Sequence, residues 1–221
     1  VLSERVVHFK IRRKHPVLVD INIKEYLDKA AAGKAVPGGG SVAALNAALA
    51  ASLAEMVANL TVGKKGYEAV EEEMKALAKE ASQLRNNLTA AIDQDADAYT
   101  EVMAAYRLPK KTDQEITLRQ QKIQEAIKHA ALVPLEVARD ALAIIELAGR
   151  AIQKGNKNAS SDGAVAAMNA RTAALAAIYN VKINLKSIKD DSFVEKLSQE
   201  VKELENQVVK KENEALSHVA I

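Results

Sequence analysis

Tyr67–Leu108 reads YEAVEEEMKALAKEASQLRNNLTAAIDQDADAYTEVMAAYRL, with neither glycine nor proline. Its apolar residues are Val70, Met74, Leu77, Ala81, Leu84, Leu88, Ile92, Tyr99, Val102, Met103 and Tyr106. They recur three and four apart, the period of one helix face. The spacing predicts one very long helix, or two in line. A helix of that length with a single apolar stripe must be covered by other helices, so the stretch points to an all-α bundle.

The flanks agree. Leu108-Pro109-Lys110-Lys111 ends the long helix, and Thr112 with Glu115 makes a capping box for the next. Pro134 is expected to kink or break that helix, and a further segment runs to about Lys154 and stops at Gly155. Asn156 to Ser161 is a polar loop. Ser161 or Asp162 is expected to cap a helix to about Leu185, and a last helix begins near Asp190 to Ser192 and runs to about Ser217. On the other side, Gly63-Lys64-Lys65-Gly66 breaks the chain after a helix from Ser41 to about Val62. Asn22 caps a first helix that ends at Ala32–Gly33. Residues 1–21, β-branched and basic around Val6 to Lys14, read as an arm, a short strand or an appended extension. With no linker and no repeat, residues 22–221 are expected to form one domain of long antiparallel helices.

Composition narrows the function. There are no cysteines, which excludes disulfides and thiolate metal sites. The histidines at 8, 15, 129 and 218 lack helical ligand spacing, so no metal site is expected. A net charge of +2 gives no general pull towards nucleic acid, and the absence of Trp argues against base-stacking platforms. Val42 to Val62 is long enough to cross a membrane, but Asn46, Ser52, Glu55 and Asn59 would be costly in lipid. It reads as the central helix of a bundle. No secretory leader is visible, and the expected compartment is the cytoplasm.

The chemistry lies where polar residues interrupt apolar faces. Asp95 falls three after Ile92, seven after Leu88 and four before Tyr99, in the middle of the stripe. A carboxylate there is costly unless paired or protonated, and burial raises its pKa towards neutrality. It is therefore a candidate general acid and base, the bland alternative being a structural Asp bonded to a neighbouring helix. Asp93, Asp97 and Glu101 fall on another face, where solvated charges are ordinary. Asp162, Asn169, Asn180 and Asn184 share one face of the 161–185 helix, and Ser41, Ser52, Glu55 and Asn59 one side of the central helix. Such polar columns can converge on a cleft.

Pro37-Gly38-Gly39-Gly40-Ser41-Val42-Ala43-Ala44 is the second signal. Three successive glycines suit main chain that turns sharply or lies flat against a ligand. Ser41 can cap the helix that follows, leaving N–H groups for a polar ligand. The plain alternative is a tight loop before a helix. The basic groups Lys64-Lys65 and Arg107 with Lys110-Lys111 are either solvated loop charge or a means of capturing an acidic substrate tail.

With these residues in place the chain resembles the formiminotetrahydrofolate cyclodeaminase / methenyltetrahydrofolate cyclohydrolase family. The resemblance is carried by Pro37 to Ala44, Ala54-Glu55-Met56-Val57 with Gly63-Lys64-Lys65, and Ile92 to Tyr99. Leu108-Pro109-Lys110, Val133-Pro134-Leu135, Gly155-Asn156 with Ser161-Asp162, and Asn180 to Leu185 follow in family order. Together they cover roughly residues 22–215. The resemblance implies an all-α homodimer that binds a tetrahydrofolate derivative in a cleft near the subunit interface, without metal or organic cofactor. It places the catalytic aspartate on Asp95, with Tyr99 where the family often has Phe. Gly38, Gly39, Gly40, Ser41, Lys64, Lys65, Lys110, Asp162, Asn180 and Asn184 are the expected substrate-binding residues. The amino-terminal transferase domain of some family members is not expected here. The implied reaction is conversion of 5-formiminotetrahydrofolate to 5,10-methenyltetrahydrofolate and ammonia, a lyase step. Cyclohydrolase action, hydrolysis of the methenyl compound to 10-formyltetrahydrofolate, is the alternative, and a non-catalytic helical scaffold is the competing class.

Overall fold

A computed structural model describes residues 17–220, and among them there are helices and turns but no strands. Six α-helices follow in order: α1 (Ile23–Ala31), α2 (Gly39–Asn59), α3 (Glu71–Tyr106), α4 (Asp113–Lys154), α5 (Ser160–Leu185) and α6 (Asp191–Leu216). Short 3₁₀ turns stand before α1, α3 and α5.

The capping residues fix most boundaries. Asn22 accepts from the Glu25 N–H, Thr112 and Glu115 form the reciprocal box, and Asp190 accepts from the Phe193 N–H. Gly63 and Gly66, both at positive φ, turn the chain between α2 and α3. Two expected caps differ. Gly38, not Ser41, is the N-cap of α2, and Ser41 lies in the first turn. A 3₁₀ turn at Lys157–Ala159 runs straight into α5, so neither Ser161 nor Asp162 caps it.

Pro134 does not break α4, which runs 42 residues through it. Proline has no N–H to give the carbonyl one turn back, that of Ala130. The Asn184 side-chain amide on α5 donates to that carbonyl instead, at 2.8 Å. A neighbouring helix thus replaces the missing bond.

α2 is the hub, packed against α3, α4 and α5, with α6 covering α4 and α5. Its alanines Ala43, Ala44, Ala47, Ala50, Ala51 and Ala54 are fully buried, as are Ala166, Ala167, Ala170, Ala173, Ala174 and Ala177 of α5. Small side chains let the helix axes approach closely. α2 is the helix among the described residues that is long and apolar enough to cross a membrane, and here it occupies the bundle centre. One core cluster, with Leu88, Ile92, Leu135 and Ile178, lies towards the N-terminus of α2. A second, with Val57, Met74, Leu77 and Ile152, lies towards its C-terminus.

Residues 1–16 of the expected arm lie outside the described residues. Its last part is docked: Leu18 is buried, and its N–H donates to Asp93 Oδ1 at 2.7 Å.

Candidate active site

The glycine loop and Asp95 meet. α2 begins where α3 passes its Asp95 turn, and a Cβ on Gly40 would lie 2.0 Å from Asp95 Oδ1 and 2.5 Å from Cγ. Gly40 is glycine because the aspartate occupies its side-chain space. Its φ is not positive, so close approach rather than backbone freedom sets the requirement. Ser41 Oγ lies 3.0 Å from Asp95 Oδ2 and 2.9 Å from the Ile92 carbonyl, and one hydroxyl proton serves the two acceptors. The Ser41 backbone N–H also bonds Asp95. That N–H belongs to the first turn of α2, where amides have no helical partner.

Burial pushes the Asp95 carboxyl above its ordinary pKa, and the Ser41 side-chain and backbone bonds pull it back in part. The net direction is up. A carboxyl so placed keeps its proton to higher pH than an exposed one.

Asn180 of α5 joins this end, since a Cβ on Gly39 would lie 3.3 Å from its Nδ2. Asn184, one turn on, is committed to the Ala130 carbonyl. A cleft of about 610 Å³ opens beside the loop, lined among others by Lys29, Lys34, Val36, Tyr99 and Thr100. Tyr99, one turn beyond Asp95, is part exposed in it.

The remaining expected residues are elsewhere. Lys64 and Lys65 follow the far end of α2, roughly 27 Å along the helix from Ser41. Asp162 is at the start of α5, about as far from Asn180. Lys110 is exposed in the loop beyond α3. The polar column of α2 does not converge on the cleft either. Ser52 returns its hydroxyl to the Ala48 carbonyl, and Glu55 pairs with Arg85 at 2.8 Å.

At the far end, buried Asn156 ties two loops together. Its N–H donates to Thr61 Oγ1 at 2.8 Å and its amide to the Leu60 carbonyl at 3.2 Å. Among the described residues no group of three or more His, Asp or Glu side chains is arranged to hold a metal.

Asp93 corrects the sequence reading. It is 4% exposed, not solvated, because the Leu18 turn covers it. Tyr26, Lys29 and Lys34 also stand at the site without a mark in the sequence. No periodic signal marks them, since the α1 region touches α3 only through the tertiary fold.

The site therefore defines a class: an all-helical bundle with a half-buried carboxyl held against a glycine-opened helix start. Residues 22–203 match the family described as formiminotransferase-cyclodeaminase, and the chain belongs to that family. It is 43% identical over 183 residues to the methenyltetrahydrofolate cyclohydrolase of Methylorubrum extorquens, covering 83% of this chain and 86% of that one. It is 34% identical to the formimidoyltransferase-cyclodeaminase of Rattus norvegicus, over 91% of this chain but 38% of that protein's length. The crystal structure of formiminotetrahydrofolate cyclodeaminase from Thermotoga maritima superposes with a TM-score of 0.82, at 34% identity, covering 90% of this chain and 96% of that one.

Proposed function

We propose that this chain is a folate one-carbon enzyme, converting 5-formiminotetrahydrofolate to 5,10-methenyltetrahydrofolate and ammonia. The observation that carries the reading is Asp95, half-buried and locked by Ser41 against the start of α2. In the reaction N10 attacks the formimino carbon, the C–N bond to the amino group breaks, and a methenyl bridge joins N5 to N10. The formimino group enters as its protonated amidinium. N10 then loses a proton and the departing nitrogen gains one, so that neutral ammonia leaves and the methenyl bridge carries the positive charge. A carboxyl of raised pKa accepts the first and supplies the second. No metal or organic cofactor enters this scheme. Gly38–Gly40 and Asn180 border the reacting end, and Lys29 and Lys34 in the adjoining cleft are the cations for the glutamate tail.

Cyclohydrolase action is the second reading, favoured by 43% identity to the Methylorubrum protein against 34% to the Rattus one. There Asp95 activates water for addition to the methenyl carbon.

The working form is a homodimer in the cytoplasm, with no nucleic-acid or membrane partner. Leu49 and Met56 of α2 and Val165, Met168, Tyr179 and Ile183 of α5 are exposed along the two packed helices. A twofold axis across this face would lay the partner's Lys64, Lys65 and Asp162 end beside this chain's Asp95 end. A solution mass of two chains is the expected observation.

Incubation with each folate separates the readings. Ammonia release with rising methenyl absorbance supports the first; loss of methenyl absorbance well above the uncatalysed rate supports the second. Asp95→Asn is expected to lower the active rate by about 10²–10⁴-fold, the usual share of a general acid–base group. A folded variant that turns over like the parent would sink the catalytic assignment.

A further inference from the structure

Tyr26 is the one buried residue of α1, at 8% exposure, and its hydroxyl finds no hydrogen-bond partner among the described residues. Buried polar atoms nearly always have partners, and an orphan phenol calls for an explanation. Its surroundings supply one. The charges of Asp95 and Asp93 both act on the phenol and, after burial itself, push its pKa up to about 12. It is therefore a proton donor at every physiological pH, sealed from solvent beside two carboxylates. Asp93 is already engaged by the Leu18 N–H through Oδ1. Asp95 is held through Oδ2 by the Ser41 hydroxyl.

We propose that Tyr26 is a positioning residue for Asp95: its hydroxyl donates to the Asp95 carboxylate when that carboxylate is charged, and α1 thereby belongs to the active site. The inference rests on the catalytic reading of Asp95. Its physical basis is an asymmetry between two protonation states. When Asp95 is neutral it needs less from its surroundings, and the phenol stays unpaired. Once Asp95 has given up its proton, its charge acts on a buried phenol that has no other partner, and a charge-assisted bond between the two satisfies both. Tyr26 thus favours the charged form, and it resists the misorientation that a lone pair of Ser41 bonds would permit.

Few other ionisable groups bear on Asp95. α3 itself carries Asp93 and Asp97. α1 and the loop after it bring Glu25, paired with Lys29, together with Asp28 and Lys34 around the adjoining cleft. The first turn of α2 contributes no ionisable side chain, and α5 presents the neutral Asn180.

The test is Tyr26→Phe in the full chain, which keeps the ring and removes the hydroxyl. Two readouts are taken. The first is the pH profile of kcat with the folate that the parent turns over. The limb belonging to Asp95 is expected to move about half a unit to one unit upward, with kcat lower by about 3- to 10-fold and KM within twofold. The second needs no activity: carboxyl-carbon NMR titration of aspartate-labelled protein, with the Asp95 signal assigned from Asp95→Asn. The same upward movement is expected there. Replacing Tyr26 by 3-fluorotyrosine, a stronger donor, is expected to move the titration the other way. This variant keeps the ring and the hydroxyl and changes one ring hydrogen to fluorine, so it decides the matter if Tyr26→Phe fails to fold. An Asp95 titration unmoved by either change overturns the inference. A parent that turns over neither folate defeats the functional reading instead, and the NMR titration still judges the Tyr26–Asp95 link.

Discussion

Adding one methyl group at Gly40 tests the geometry of the site directly. In Gly40→Ala the new Cβ would stand 2.0 Å from Asp95 Oδ1, 2.5 Å from Cγ and 2.8 Å from Oδ2. Comfortable non-bonded separation is about 3.5 Å, so the carboxyl must retreat by roughly 1.5 Å or α2 must shift. Either movement breaks the bond to Ser41 Oγ. Overpacking of this size costs about 1–3 kcal/mol of stability. Displacing a reacting group by about 1 Å is worth on the order of 10²-fold in rate, so kcat/KM is expected to fall at least that far. Gly39→Ala provides the graded comparison, since its Cβ would lie 3.3 Å from Asn180 Nδ2, and a few tenths of an ångström of movement suffices. Its losses are expected to be much smaller. The assays are urea unfolding and steady-state turnover with both folates. A Gly40→Ala protein as stable and as active as the parent would refute the close packing of Asp95 against the glycine turn.

Two further outcomes are expected. Asn184→Ala leaves the Ala130 carbonyl without a donor and should cost about 1–3 kcal/mol in urea unfolding. In a Pro134→Ala background, where the helix supplies its own N–H, the same change should cost clearly less, and a double-mutant cycle reads the difference. Asp140 on α4 has its pKa raised to about 6 by burial and, secondarily, by the charge of Glu136. Folding favours its neutral form, so its contribution to stability is complete below about 3.8 and is lost as pH rises through about 6. Asp140→Asn should therefore raise Tm at pH 7.5 and give no gain at pH 4, measured by thermal melts across that range.

Helix identity was legible because periodicity and punctuation are local. The stripe from Met74 to Ile92, the Thr112–Glu115 box, the Asn22 and Asp190 caps and the stop at Gly155 act within a turn or two of chain. Asp95 was legible for the same reason, as a charge out of phase with its own helix. The sequence alone thus determined an all-α bundle, its helix order and a carboxyl on α3 out of phase with its own helix. Only the tertiary structure decided what each polar group meets. Asp93 looked solvated because the Leu18 turn that covers it lies 75 residues away in sequence. Pro134 looked like a helix breaker because its compensating donor, Asn184, belongs to another helix. Lys64 and Lys65, read as loop cations, and Asp162, read from a polar helix face, are expected at the substrate, yet within one chain they lie at the opposite end of the bundle from the glycine loop, because neither loop charge nor face periodicity says where along the axis a residue ends up. Tyr26 carried no signal at all: an orphaned hydroxyl exists only once its neighbours are packed around it.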